Sequence, residues 1–207
     1  MVGGIIVNKK LWSFKFNTAT LVLIPAAVGI NYLGKLFAQV LKLPLWLDSI
    51  GACISAILGG PIVGALVGAI NNVIYGVTAD PIATVYALTN IGIGIIVGYL
   101  AHKGFLKNIK GVIAAGLITG LVAVVISTPL NIIFWGGTTG NIWGDALFAW
   151  ATDNNIPVFI ASFLDELVVD LPDKLAVVLI VYGIYKSLPR NIITLYQNTG
   201  DVENLDL

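Results

Sequence analysis

The segment that most restricts the fold is 59–75, Gly-Gly-Pro-Ile-Val-Gly-Ala-Leu-Val-Gly-Ala-Ile-Asn-Asn-Val-Ile-Tyr. Gly60, Gly64 and Gly68 recur every fourth residue, with Ala65 and Ala69 one step round, so one helix face carries almost no side chain. In water each such glycine costs about 1 kcal/mol of helix stability relative to alanine. In lipid the backbone must hydrogen-bond to itself in any case, and a bare stripe lets a second helix approach closely. The same segment ends in Asn71, Asn72 and Tyr75. One helix therefore offers a packing surface at one end and polar, ligand-sized chemistry at the other.

Composition agrees with lipid as the solvent. Hydrophobic residues make up 57% of the 207, charged residues only 11%, and mean hydropathy is +0.94. A soluble domain carries roughly 25% charged residues. Lys+Arg and Asp+Glu balance at 11 each, which leaves no basic footprint for nucleic acid. Cys53 stands alone, which excludes an internal disulfide and a zinc ribbon and suggests a small buried apolar residue. Lys9, Lys10 and Lys15 precede an apolar stretch with no small-residue cleavage site soon after it, the pattern of a retained first span.

A spanning helix needs about 20 mostly apolar residues. The candidate spans are 17–39, 47–58, 61–75, 84–101, 111–134 and 171–188. The second and third are short and meet at Gly59-Gly60-Pro61, a turn that leads into Pro61 at the first helical position. They read as a hairpin of steep or incomplete spans packed inside other protein. The expected fold is an all-α integral membrane protein, a single domain over 1–207 with six transmembrane helices. A capping loop at 42–49 and short helices at 143–151 and 157–169 would cover the outer face. Alternatively 157–188 forms one long, tilted last helix interrupted at Pro172. The tail beyond Pro189 reads as polar and frayed.

Lysines and arginines set the orientation. With the N-terminus inside, Lys9, Lys10, Lys15, Lys103, Lys107, Lys110, Lys186 and Arg190 are cytoplasmic, and only Lys35, Lys42 and Lys174 lie outside. The expected topology has both termini in the cytoplasm, in a multi-pass cell-membrane protein. Polar groups then gather at the outer ends of the spans, in i, i+4 pairs that share a helix face: Asn71 with Tyr75, Tyr86 with Asn90, Asn131 with Trp135, and Asp170 with Lys174. Amides, rings and a carboxylate in one layer suit an orienting pocket for a small heteroaromatic ligand. Asp170 also reads as the N-cap of the last span, with Pro172 and Asp173 in its first turn. Walker A, HExxH and CxxC motifs are absent, and His102 is the single histidine, beside Lys103 at an inner helix end. Neither catalysis, a metal nor ATP hydrolysis by this chain is expected.

The layout resembles a known family. Leu58-Gly59-Gly60-Pro61-Ile62-Val63-Gly64 leads into a small-residue helix, the last helix opens Asp170-Leu171-Pro172-Asp173-Lys174, and it closes Ile184-Tyr185-Lys186-Ser187-Leu188-Pro189. This is similar to the substrate-binding S component of energy-coupling factor (ECF) vitamin transporters. The resemblance implies a vitamin-capturing subunit with no cofactor of its own. It would work with a transmembrane coupling protein and two ATP-binding cassette ATPases that use the ATP, and would topple in the bilayer to carry its ligand inward. The family's alanine-rich first-helix motif falls on Ala26 and Ala27, followed four residues on by Ile30 and Asn31. The coupling subunit is thus expected on Ala26, Ala27 and the Gly60, Gly64 and Gly68 face. The vitamin is expected against Trp46, Asn72, Tyr75, Tyr86, Asn90, Asn131, Trp135, Asp170 and Lys174. A B6 vitamer or a hydroxymethylpyrimidine suits that mixture; cobalamin is the alternative. A small secondary carrier and a membrane sensor remain as other readings.

Overall fold

A computed structural model describes Trp12 and residues 18–197, and the described residues form helices joined by loops, with no strand among them. Helices α1 (Thr18–Val40), α2 (Ile50–Gly59), α3 (Pro61–Thr78), α4 (Ala87–His102), α5 (Ile109–Trp135), α6 (Ile142–Asp153), α7 (Val158–Ser187) and α8 (Arg190–Gln197) follow in order. Short 3-10 turns at Pro81–Thr84 and Phe105–Lys107 flank α4. The lysines at 9, 10 and 15 and the tail beyond 197 lie outside the described residues.

Length separates the helices into two kinds. α1, α3 and α5 are long and apolar enough to cross a bilayer. The 27 residues of α5 rise about 40 Å, against a hydrocarbon core of ~30 Å. The ten residues of α2 rise only about 15 Å, so α2 ends within the bundle. The chain then reverses at Gly60, whose φ of 97° is open to glycine and strained for other residues, and Pro61 starts α3. Gly64 and Gly68 of the small-residue face pack against helices of this chain. A Cβ on Gly64 would lie 2.5 Å from the Ala56 Cβ of α2, and one on Gly68 would lie 2.6 Å from the Asn90 carbonyl oxygen of α4. On the α4 side, a Cβ on Gly94 would overlap the backbone of Gly64 and Ala65.

Helix α1 joins this seam through Ala27, whose carbonyl faces Gly51. Asn31 sits one turn further along α1 and is fully buried. Its Oδ1 accepts hydrogen bonds from the backbone N–H of Gly51 at 2.6 Å and Ala52 at 3.3 Å, so α1 caps the N-terminus of α2. Below the seam, Ile93, Val97 and Leu100 of α4 meet Val112, Ala115 and Ala123 of α5 and Val177, Val178 and Val181 of α7 in the apolar core.

For the last span the alternative of one long helix over 157–188 holds. The segment 157–169 is not a separate capping helix, and Asp170 is not an N-cap. Val158–Ser187 is one continuous helix with Pro172 inside it. Proline forfeits one helical hydrogen bond, and Pro172 is exposed, where its ring meets the least packing. Likewise 190–197 is helical; the Tyr196 hydroxyl donates to the Ala19 carbonyl at 3.3 Å and ties α8 to α1.

Candidate functional site

Continuity of α7 places its acidic residues on one inward stripe. Asp165, Glu166, Asp170, Asp173 and Lys174 are all buried, and the same stripe continues into Val177, Val178 and Val181. Burial of this many ionisable groups in a membrane helix requires partners or a cavity. Both are present. Lys174 Nζ lies 2.5 Å from Asp173 Oδ2, 3.5 Å from Asp48 Oδ1 and 3.8 Å from Asp170 Oδ1. Asp173 also holds the 42–48 loop, since its Oδ1 accepts from the backbone N–H of Trp46 at 3.1 Å and of Leu47 at 2.9 Å. Burial acts to lift the Asp48 carboxyl. The Lys174 and Lys35 ammonium groups and hydrogen bonds from Asn90 and Lys174 outweigh it, and hold Asp48 below its ordinary range.

A cavity of about 160 Å³ opens where these groups meet, many times the ~15 Å³ that one water requires. Aromatic side chains Trp46, Tyr86 and Trp135 line it, together with Lys35, Asp48, Asp80, Asn90, Glu166, Asp170 and Lys174. Tyr86 and Trp135 stack with centroids 5.6 Å apart and planes at 20°. The Tyr86 hydroxyl donates to Asn131 Oδ1, and Asn131 Nδ2 donates to Glu166 Oε1 at 2.6 Å. Tyr86 thus enters this network as a donor, with its ring held against Trp135.

Two loops roof the chamber. Residues 42–48 supply Trp46, and Thr138, Thr139 and Gly140 supply the other edge. The loops are tied together. Trp143 Nε1 donates to the Lys42 carbonyl at 3.1 Å, and Asn141 Nδ2 to the Leu43 carbonyl at 3.3 Å. Asp145 Oδ1 in turn accepts from the N–H of Thr139 at 2.9 Å and of Gly140 at 3.1 Å.

Of the nine residues expected around a ligand, Trp46, Tyr86, Asn90, Trp135, Asp170 and Lys174 line the chamber. Asn72, Tyr75 and Asn131 stand behind it. Asn72 Oδ1 accepts from Asn90 Nδ2 at 2.9 Å, the Tyr75 hydroxyl donates to Gln39 Oε1, and Asn131 links Tyr86 to Glu166. Sequence reasoning missed Lys35, Asp48, Asp80 and Glu166. The spacing of Glu166, Asp170 and Lys174 at i, i+4, i+8 would have revealed the acidic stripe had Pro172 not been read as a helix start.

The expected docking face needs correction. Gly64 and Gly68 are buried against α2 and α4, Gly60 forms the turn, and Ala27 is fully buried. Glycines allow close approach, and here the approach is made by helices of the same chain. Of the five residues only Ala26 is exposed, on an α1 face with Val22 and Ile30.

Fold and chamber together define a class: a helical, multi-pass membrane protein with a polar cavity at one end of its bundle. The family model of the ECF transporter substrate-specific component matches residues 19–196, and the chain belongs to that family. Membership makes it a transport subunit and implies association with the ATPase and transmembrane coupling subunits of such a transporter. No curated protein and no solved structure gives a significant match.

Proposed function

We propose that this chain captures a small ring-shaped vitamin from the outer face of the cell membrane for an ATP-driven importer. The observation that carries the reading is the chamber itself, a roofed space with stacked rings on one wall and amide, carboxylate and ammonium groups on the others. Its 160 Å³ lies below the ~300 Å³ at which pockets for drug-sized ligands begin. That favours a B6 vitamer or a hydroxymethylpyrimidine over a corrinoid. In this reading the chamber faces outward, the termini are cytoplasmic and the chain crosses the bilayer six times, the α2–α3 hairpin included. The chain needs no cofactor; partner ATPases use the ATP, and the exposed α1 face around Ala26 meets the coupling subunit.

A thermal-shift screen of the detergent-purified chain against the water-soluble vitamins tests this. One small ring vitamin should raise the melting midpoint, by about 4 kcal/mol of stabilisation at a thousandfold excess over Kd. Tyr86→Ala and Asn90→Ala should each abolish the shift while the ligand-free protein stays folded. A shift by cobalamin alone, or a full shift in both variants, would overturn the assignment.

A further inference from the structure

Given that the chamber holds a small ring, as proposed above, we infer that its ligand is a zwitterion, with its anionic group on Lys35 and its cationic nitrogen on Glu166 and Asp170. The two lysines of the chamber are in opposite situations. Lys174 is enclosed by three carboxylates. Lys35 is only 5% exposed, yet no carboxylate among the described residues comes within 4 Å of its ammonium, and it donates no hydrogen bond there. Its Nζ instead lies 4.5 Å from the centroid of the Tyr75 ring and 5.9 Å from that of Trp46. Ring faces hold an ammonium in place but accept none of its three protons in a strong hydrogen bond. Asp48 and Asp80 share the chamber wall and attract Lys35 only from beyond 4 Å, their hydrogen bonds going to other groups. Asp48 accepts from Lys174 and Asn90, and Asp80 Oδ1 accepts from the Ile82 N–H at 3.1 Å. A buried cation that lines a cavity with its protons unused is a receptor for an anion.

The α7 wall has the opposite need. Glu166 and Asp170 are one helical turn apart on the buried stripe of α7, each is nearly fully buried, and both line the chamber. Two buried carboxylates on adjacent turns of one helix call for a proton or a cation to offset their like charge. Lys174 reaches Asp170 at only 3.8 Å, and no lysine lies within 4 Å of Glu166 among the described residues. A neutral ligand would leave the Lys35 ammonium without an acceptor and Glu166 without a cation in contact. A ligand of one charge would satisfy one wall and repel the other. A ring that carries an oxyanion and a protonated nitrogen satisfies both, with its faces against the Tyr86–Trp135 stack.

A matched set of one-ring probes tests the charge pattern on the detergent-purified full chain: benzyl alcohol, benzoate, benzylamine, 3-(aminomethyl)benzoate and pyridoxine. Calorimetry should give the last two, both zwitterions, a Kd at least about tenfold below those of the singly charged probes, the factor one charge-assisted hydrogen bond supplies. Lys35→Gln should weaken benzoate and the zwitterions about tenfold and tighten benzylamine, because a like charge is gone. Glu166→Gln should weaken benzylamine and the zwitterions more than benzoate, and Lys35→Arg should retain benzoate. Ligand-free melting midpoints show that the variants are folded. If benzyl alcohol or a singly charged probe binds as tightly as the zwitterions, or both variants weaken every probe alike, the inference falls while the small-ring reading stands. If no probe and no vitamin binds the wild-type chain, both fall.

Discussion

Helix α3 joins two regions built on opposite rules. Its first half, around Gly64 and Gly68, meets α2 and α4 with backbone against backbone and leaves no space. Its second half carries Asn71, Asn72 and Tyr75 toward a chamber where side chains stand apart and a cavity remains. The seam gains from dispersion contacts summed over a close approach; the chamber holds charges that lipid could not solvate. The difference teaches that a glycine stripe and a polar cluster in one helix need not serve two external partners. Here the stripe gives rigidity to the frame from which the chamber is hung.

The sharpest way to break the comparison is to add carbon to the seam. Gly94→Leu puts a side chain into the backbone of Gly64 and Ala65, which cannot yield as a side-chain tip would. Overpacking costs typically 1–3 kcal/mol where neighbours can shift. With backbone as the obstacle the loss should exceed that range and leave little monodisperse protein after detergent extraction. Gly183→Leu, where a Cβ meets nothing within 4 Å, is the control and should purify normally. Equal yields for the two would show that the seam is loose.

In the chamber a comparable loss comes from removing charge. Lys174→Met strands Asp48, Asp170 and Asp173 in a buried site, and breaking a buried ion pair costs about 3–5 kcal/mol. Lys35→Met leaves Asp48 its contact with Lys174 and should cost far less, since an ammonium in contact only with rings is replaced by an apolar chain of similar length. Melting midpoints of the ligand-free variants decide the matter. If Lys35→Met is as destabilising as Lys174→Met, the two lysines are not the contrasting pair described above.

These two regions also differed in how legible they were. The seam's small-residue period and the turn at Gly60-Pro61 are local patterns, and they predicted a close-packed hairpin. Which surface the stripe would meet is not local: a bare face suits a neighbouring helix of this chain as well as a partner subunit. Most of the polar layer was legible too, because four i, i+4 pairs all fell toward the same side of the bilayer, which scattered interhelical hydrogen bonds would not do. Lys35 was read as an outer-side charge because the balance of lysines and arginines across the bilayer placed it there, and that count says nothing of burial. Glu166 was assigned to a surface helix because Pro172 imitated a helix start, whereas packing on α5 and α6 keeps α7 continuous through it. Asp48 sits in the loop before α2, and only the fold-back of 42–48 onto Asp173 brings it to Lys174.

The smallest effect on stability should come from α1, where neighbouring alanines divide the two roles that the glycine stripe was expected to combine. Ala27 is fully buried with its carbonyl against Gly51, whereas Ala26 is exposed beside Val22 and Ile30. Ala26→Trp therefore adds a ring outside the bundle, and neither the melting midpoint nor vitamin affinity should move. If that face meets the coupling subunit, uptake by the reconstituted transporter should still fall on the order of tenfold, equivalent to about 1.4 kcal/mol of lost docking. Ala27→Trp should instead fail to fold, since its side chain would enter the α1–α2 contact. Unchanged uptake with Ala26→Trp would mean that this face meets only lipid, and the coupling surface would then have to be sought among the exposed side chains of α3, such as Ile70, Val73 and Val77.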